Sequence, residues 1–290
     1  MNHSTSLISA AGLLLACALL VPEASATPPR LRINGSLGLG YDSNIGAAQN
    51  NDEKVDSAFY SALVAADYIV PMAERFSFTI RGQLQGDAYD KFDDLSNGRA
   101  LGLFRLAWKP GSAFLTPVLS AWVSGARLEY GSEIRTGDEF RGGLFVTQQL
   151  TTVISAKAEI KGFHREAKGR VFDTSGQGAG LSVNWMITPR VSTQAGFEYW
   201  TGDATSSASP TLKIARAAEE IEPDDAFGGI DANQFAYRLD ARTRIATVGA
   251  NWRIAPDWAL DAQLQSISVD GDFDNQYDRL IGVVGLLVRF

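Results

Sequence analysis

The chain has 290 residues, 45% of them hydrophobic and 20% charged, with 26 Lys+Arg against 33 Asp+Glu for a formal net charge of −7. That length allows a large core and excludes a disordered chain, and an acidic balance without a Lys/Arg cluster excludes a nucleic-acid binder. One Cys and two His exclude a disulfide framework and a multi-Cys metal site, and the pattern implies no cofactor.

Residues 1–26 have the form of a secretory signal peptide. The apolar stretch Leu7–Val21 is followed by Pro22, and Ala24-Ser25-Ala26 supplies small residues before a cleavage site at Thr27. Leu14-Leu15-Ala16-Cys17 offers a competing lipoprotein box, in which Cys17 is the lipidation site. Hydropathy shows no second long apolar run, so a β-rich soluble protein and a transmembrane β-barrel remain; barrel strands escape hydropathy because apolar and polar residues alternate.

From Leu31 onward the chain repeats stretches of ten or more residues with a period of two, the mark of strands whose side chains point to opposite sheet faces. Leu31, Ile33, Leu37, Leu39 and Tyr41 share one parity. In the third stretch Phe76, Phe78, Ile80 and Leu84 oppose Arg75, Ser77, Thr79, Arg81, Gln83 and Gln85, and Trp258–Ser266 repeats the scheme. Short connections such as Pro110-Gly111-Ser112, Thr188-Pro189-Arg190 and Ala255-Pro256-Asp257 alternate with long polar ones: Ile45–Val55, Asp90–Gly98, Gly131–Glu139, Ala167–Thr174, Gly202–Gln234 and Asp270–Asp278. Five short and six long connections predict twelve strands, at 30–44, 56–70, 75–90, 99–109, 114–130, 139–150, 152–166, 173–187, 191–201, 235–254, 258–269 and 278–290. The fold class expected is therefore all-β, an up-and-down antiparallel transmembrane barrel of residues 27–290 with both termini in the periplasm. In the tenth strand the apolar parity switches near Ile245, which predicts a bulge or a strand continuing above the membrane. Trp108, Trp185, Trp252 and Trp258 form one expected aromatic belt, and Tyr41, Tyr89, Tyr130, Tyr199 and Trp200 the other.

Parity assigns side chains to the lumen. The basic set is Arg81, Arg105, Lys157, Lys161, Arg165, Arg238, Arg242 and Arg253; the acidic set is Asp67, Glu159, Glu198, Asp240 and Asp261. Arg238, Asp240 and Arg242 form one ladder; Lys157, Glu159, Lys161 and Arg165 form another. A basic lining favours anionic solutes, whereas a network of neutralised pairs props or plugs the lumen. The outer loops are acidic, which suits a solvated rim bridged to lipopolysaccharide. Asp270, Asp272 and Asp274 imitate the start of a calcium loop, but Ile281 stands where the bidentate Glu is required. Within the long loop 202–234, Leu212–Ile221 has the spacing of a short amphipathic helix that folds inward or packs on the loops. His164, the only His beyond the signal peptide, falls on the lipid parity, which argues against a His-dependent lipid-modifying enzyme.

Gly40-Tyr41-Asp42-Ser43-Asn44-Ile45 resembles the GYDSN-type segment that opens several Gram-negative outer-membrane barrels, among them the barrel of surface lipoprotein assembly modifiers and barrels associated with exopolysaccharide export. Gly285, Val288 and the terminal Phe290 resemble the signal such barrels present to the barrel assembly machinery, with Val283 where a polar residue is usual. The resemblance implies an outer-membrane barrel. The composite expectation is a channel for small anionic solutes, acidic oligosaccharides among them, with a non-conducting component of a surface-polysaccharide or lipoprotein export system and a lipid-modifying enzyme as alternatives.

Overall fold

The computed structural model describes residues 28–290 apart from 273 and 274. The signal-peptide and Cys17 readings, and Asp274, lie outside the described residues. In chain order the strands are β1 (Arg30–Asp42), β2 (Ser57–Ala73), β3 (Phe76–Tyr89), β4 (Asn97–Trp108), β5 (Val118–Tyr130), β6 (Gly137–Gln149), β7 (Ile154–Ala167), β8 (Thr174–Thr188), β9 (Val191–Ala208), β10 (Glu220–Pro223), β11 (Phe235–Ala255), β12 (Trp258–Gly271) and β13 (Asn275–Arg289). Twelve of them close a barrel: each pairs antiparallel with the next, β13 pairs back onto β1, and β9 pairs with β11. The short β10 is an outrigger on the loop end of β11. Closure leaves no bare edge, the requirement for a sheet in hydrocarbon, where no water satisfies an unpaired N–H or C=O.

The alternation read from the sequence is resolved by the register. Residues directly opposite on neighbouring strands share a face. Leu37, Val64, Leu84, Leu106, Val123, Leu144, Ile160, Leu181, Phe197, Val248, Leu264 and Val284, one from each barrel strand, point outward, and all are exposed, Leu37 and Leu181 by 67% and 66%. So continuous an apolar exterior has hydrocarbon as its natural neighbour. Trp108, Trp185, Trp252 and Trp258 ring the outside near the short turns, with Phe76 stacked beside Trp108 at 6.2 Å. The second belt is smaller than the sequence implied. Tyr41, Tyr60 and Tyr199 face out, but Tyr89, Tyr130 and Trp200 sit opposite Phe59, Asn97 and Gly178 and point inward.

No register shift occurs near Ile245; the only irregularity in the β11–β12 ladder lies between Arg253 and Ala255. Of the two explanations for the parity switch, the strand simply continues beyond the apolar band. The predicted helix is also shorter than expected: α1 (Leu212–Ala217) is capped by the Thr211 hydroxyl accepting from Ile214 N, and Ile221 instead belongs to β10.

Candidate functional site

At mid-height the lumen wall is charged on one side and uncharged on the other; toward the turn end Arg253 and Asp261 bring charge to the second side as well. One row of opposed residues climbs the inside from Arg30 at the turn end through Ile69, Thr79, Arg105, Trp122, Gly143, Lys161, Gly178, Trp200, Thr243 and Val269 to Tyr277 at the loop end. The climb reflects strand tilt. Parallel rows place Arg81, Asp67, Lys157, Glu159, Glu198, Arg165, Arg253 and Asp261 on the same inner face. Arg81 holds Asp67 bidentately at 2.7 and 2.9 Å. Lys157 and Lys161 bracket Glu159 at 2.9 and 3.7 Å, and Lys161 also reaches Glu198 at 2.8 Å. Arg165 donates to the Arg135 carbonyl. Asp261 accepts from Asn251 at 3.1 Å, and neither Arg105 nor Arg253 makes a salt bridge among the described residues. The opposite wall, β11 to β13, presents Thr247, Gln263, Gln265, Ile281 and Val283.

Sequence reading left Arg99 and Arg141 unassigned and put Glu139 in an acidic outer loop, whereas it stands on the inner face of β6. Arg99 and Arg141 share Glu139, each at 2.8 Å, so one carboxylate serves two guanidiniums. Together with Arg105 this leaves surplus positive charge on the inner faces of β4 to β6. Arg99 has the parity of Arg105, the signal that could have found it; Leu101 and Leu103 between them also face inward and blur the alternation.

The second ladder is misplaced by parity. Ala241 and Thr243 point inward, so Arg238, Asp240 and Arg242 lie on the outer face of β11. Arg242 and Asp240 are exposed there, and Arg238 is spent on the carbonyls of Arg170 and Asp173 at 3.0 and 2.6 Å and on Glu219 at 3.3 Å. At this height the inside is apolar and the outside is wet, the reverse of the membrane zone.

That reversal exists because the loop end is stoppered. Tyr237, Leu239, Val269 and Tyr277 point inward from the wall and are almost wholly buried. The β1–β2 loop fills the space above them. Ala47 packs on Ala241, Val269 and Tyr277, its carbonyl accepts from Ser206 Oγ at 2.8 Å, and Gly46 O accepts from Ser207 N at 2.7 Å. Ser206, Ser207 and Ala241 stand on β9 and β11, strands that do not neighbour β1, so the loop reaches across the mouth. Three further loops, β3–β4, β5–β6 and β7–β8, converge on residues 209–234 and the adjoining end of β11. Leu95 packs on Ile45 and Ala226, and Phe92 meets Phe227 at 5.0 Å. Ser132 donates to Asp225, Arg135 to Asp224 at 2.6 Å, and Phe172 packs on Ala236. Asp224 is fully buried, also accepts from Ser207, and Arg135 lies over the Phe172 ring at 4.3 Å. Burial pulls the Arg135 guanidinium below its usual range, with the Asp224 charge opposing that drop.

Below the stopper lies a cavity of about 220 Å³ bounded by Lys157, Glu159, Ser182, Gln194, Glu198, Thr247, Gln263 and Gln265. A second of about 330 Å³ at the turn end is lined by Asn34, Ser36, Asn251 and Arg253.

The GYDSN-type segment anchors this closure. Asp42, fully buried, accepts the Arg279 Nε–H, shared between its two carboxylate oxygens at 2.8 and 2.9 Å, and a second hydrogen bond from Nη2. Ser43 exchanges hydrogen bonds with Leu280, and the Asn44 side chain ties Ala48 at both its N–H and C=O and reaches Asp278 O at 3.0 Å. Tyr41 donates to Asp56 at 3.1 Å. Gly40 leaves room for the Phe59 ring, whose Cζ would be 2.1 Å from a β-carbon there. At the other end of the seam Gly285 faces inward, Val288 outward, and Phe290 N donates to Ile33 O at 2.9 Å. Asp270 accepts from Gln276, and the Asp272 carbonyl accepts from Asn275, so both already serve the β12–β13 turn.

No family model matches the chain, and no curated protein matches it. Among solved structures, the COG4313 outer membrane channel from Pseudomonas putida F1 superposes with a TM-score of 0.59 at 13% identity, covering 93% of this chain and 99% of that one. NanC porin superposes at 0.49 and 6% identity over 88% and 98% of the chains; KdgM porin in complex with disordered oligogalacturonate superposes at 0.47 and 9% over 88% and 99%. The first likeness is one of fold. The other two fall below the level at which similarity of fold carries weight.

Proposed function

We propose that this protein is an outer-membrane channel that passes small anionic solutes, acidic oligosaccharides included, by diffusion, with the short turns in the periplasm and the long loops at the cell surface. The observation that carries this reading is the lumen-facing group Arg99, Arg105 and Arg141 inside an apolar-jacketed barrel: Arg99 and Arg141 share the single carboxylate of Glu139, and Arg105 bonds only a hydroxyl among the described residues. A surplus of one sign in a narrow, low-dielectric passage lowers the barrier for the opposite charge. Passage requires the stopper to rearrange. Planar-bilayer recordings in asymmetric KCl test it: an anion-selective reversal potential is expected, and a cation-selective one refutes it.

The closed mouth favours a second reading, a non-conducting component of surface-polysaccharide or lipoprotein export. On that reading the barrel stays silent even when the stopper is loosened. An enzymatic role through His164 has little support, because the ring lies on the lipid-facing side of β7, opposite Phe140 and Ser175, with only Glu166 at 3.3 Å. The exposed Phe290 supports recognition by the assembly machinery, and the acidic loops support contact with lipopolysaccharide through divalent cations.

A further inference from the structure

Two tryptophans lie flat against the inner wall. Trp122 stands on β5, yet its indole N–H donates to Glu159 on β7 at 3.0 Å, two strands away. To do so the ring lies across β6 at Gly143, where a β-carbon would sit 3.0 Å from Trp122 Nε1. Trp200 is laid down in the same way over Gly178, whose β-carbon would meet its Cδ2 at 2.6 Å, and its N–H is held by Glu198 at 2.9 Å. Each indole thus turns its polar edge to a glutamate and passes over a glycine. The Trp200 ring is shared with Lys161 at 5.0 Å and Phe163 at 5.6 Å. Trp122 has no such ring or cation contact among the described residues; it stands on the inner face of β5 and is half-buried. Directly opposite Trp122 on β4 is Arg105, whose guanidinium, among the described residues, donates only to the Thr79 hydroxyl, at 3.2 Å, and holds no carboxylate.

A flat apolar face beside a cation without a carboxylate suits a ring that bears a carboxylate. Beyond Glu159, Glu198 and Lys157, which pair among themselves and with Lys161, the cavity wall offers the amides of Gln194, Gln263 and Gln265 and the hydroxyl of Thr247, groups that hydrogen-bond hydroxyls. We infer that Trp122 and Arg105 form a luminal binding site for a carboxylated sugar ring. The C–H face of the pyranose stacks on the indole, its carboxylate meets the Arg105 fork, and its hydroxyls meet the amide wall. This rests on the anionic-solute reading and narrows it: ring shape as well as charge decides which solute is held.

Equilibrium binding to the detergent-solubilised barrel, followed by calorimetry, reads this without requiring transit. The probes are glucuronate, a ring; gluconate, an open chain of the same charge; and methyl glucoside, an uncharged ring. Glucuronate is expected to bind roughly two- to tenfold more tightly than gluconate, the range of an aromatic contact. Trp122→Ala should abolish that preference and Trp122→Phe retain most of it. Arg105→Gln should weaken glucuronate about tenfold or more while leaving methyl glucoside unchanged. A heat-modifiable gel shift identical to wild type shows that each variant is folded. Equal binding of glucuronate and gluconate by the wild type, or an undiminished preference in Trp122→Ala, overturns the ring site; an anion-selective reversal potential in the same preparation would show that the channel reading survives. A cation-selective potential would instead remove the reading beneath it.

Discussion

Removing the Asp224 carboxylate should unlatch the stopper without harming the barrel. Asp224 is fully buried, pairs with Arg135 at 2.6 Å, and takes the Ser207 hydroxyl as well. In Asp224→Ala the Arg135 guanidinium stays in a site where only 14% of its side chain is exposed, against Phe172 and Phe227, with no counter-charge. Breaking a buried pair by deleting one partner costs about 3–5 kcal/mol. None of that cost falls on the wall, because every barrel ladder is backbone-to-backbone and Asp224 lies in the loop between β10 and β11. It falls on the closed arrangement of the loops, which opens as a local unit. A cost at the low end, ~3 kcal/mol, raises the open population roughly hundredfold. Single-channel recordings should show a higher open probability at unchanged unitary conductance, and limited proteolysis should cut within residues 209–234 faster than in wild type. The double variant Arg135→Met with Asp224→Leu should restore closure, since an apolar replacement leaves no stranded charge. Unaltered open probability together with unaltered proteolysis in Asp224→Ala would refute the latch. Faster proteolysis with no current at all would support the non-conducting reading.

Other expectations follow from the same geometry. Gly40→Val should displace the Phe59 ring from the β1–β2 wall, costing about 1–3 kcal/mol as overpacking does and lowering the heat-modifiability midpoint; an unchanged midpoint would show that the seam tolerates the extra volume. Leu181→Arg, on the lipid face, should cost ~2–4 kcal/mol at mid-depth in lipid-reconstituted unfolding, whereas Arg242→Leu, on the outer face of β11 beyond the apolar band, should be near neutral. Equal effects would contradict the assignment of Arg242 to the wet exterior. The Lys168 ammonium, 2.5 Å from Glu133, holds that carboxyl below its ordinary value of 4.5. Because the folded value is depressed, the contact contributes at neutral pH and is lost as pH falls past the ordinary carboxyl value and through the lowered one. NMR titration of Glu133 should show its midpoint rising toward 4.5 in Lys168→Ala; no rise would remove Lys168 as the cause.

The strand number, the two loop lengths and the inner faces of β3, β7 and β12 were legible because a wet lumen and a greasy exterior force side chains to alternate with period two. Arg81, Lys157, Glu159 and Lys161 share the inner face for that reason alone. The rule failed where the environments exchange places. At the loop end of β11 the interior is dry, packed with Ala47, Tyr277 and Val269, and the exterior meets water, so Arg238, Asp240 and Arg242 carry the lumen's polarity on the wrong side of the wall. Which loop crosses the mouth, and that Arg135 finds Asp224 89 positions away, depends on contacts between segments distant in sequence, which no local period records. The flat tryptophans belong to the same class. Trp122 reads as one more aromatic in a poorly alternating strand until the barrel brings Gly143 beneath it and Glu159 to its edge. Local chemistry set the faces of the strands; the tertiary arrangement decided what each face meets.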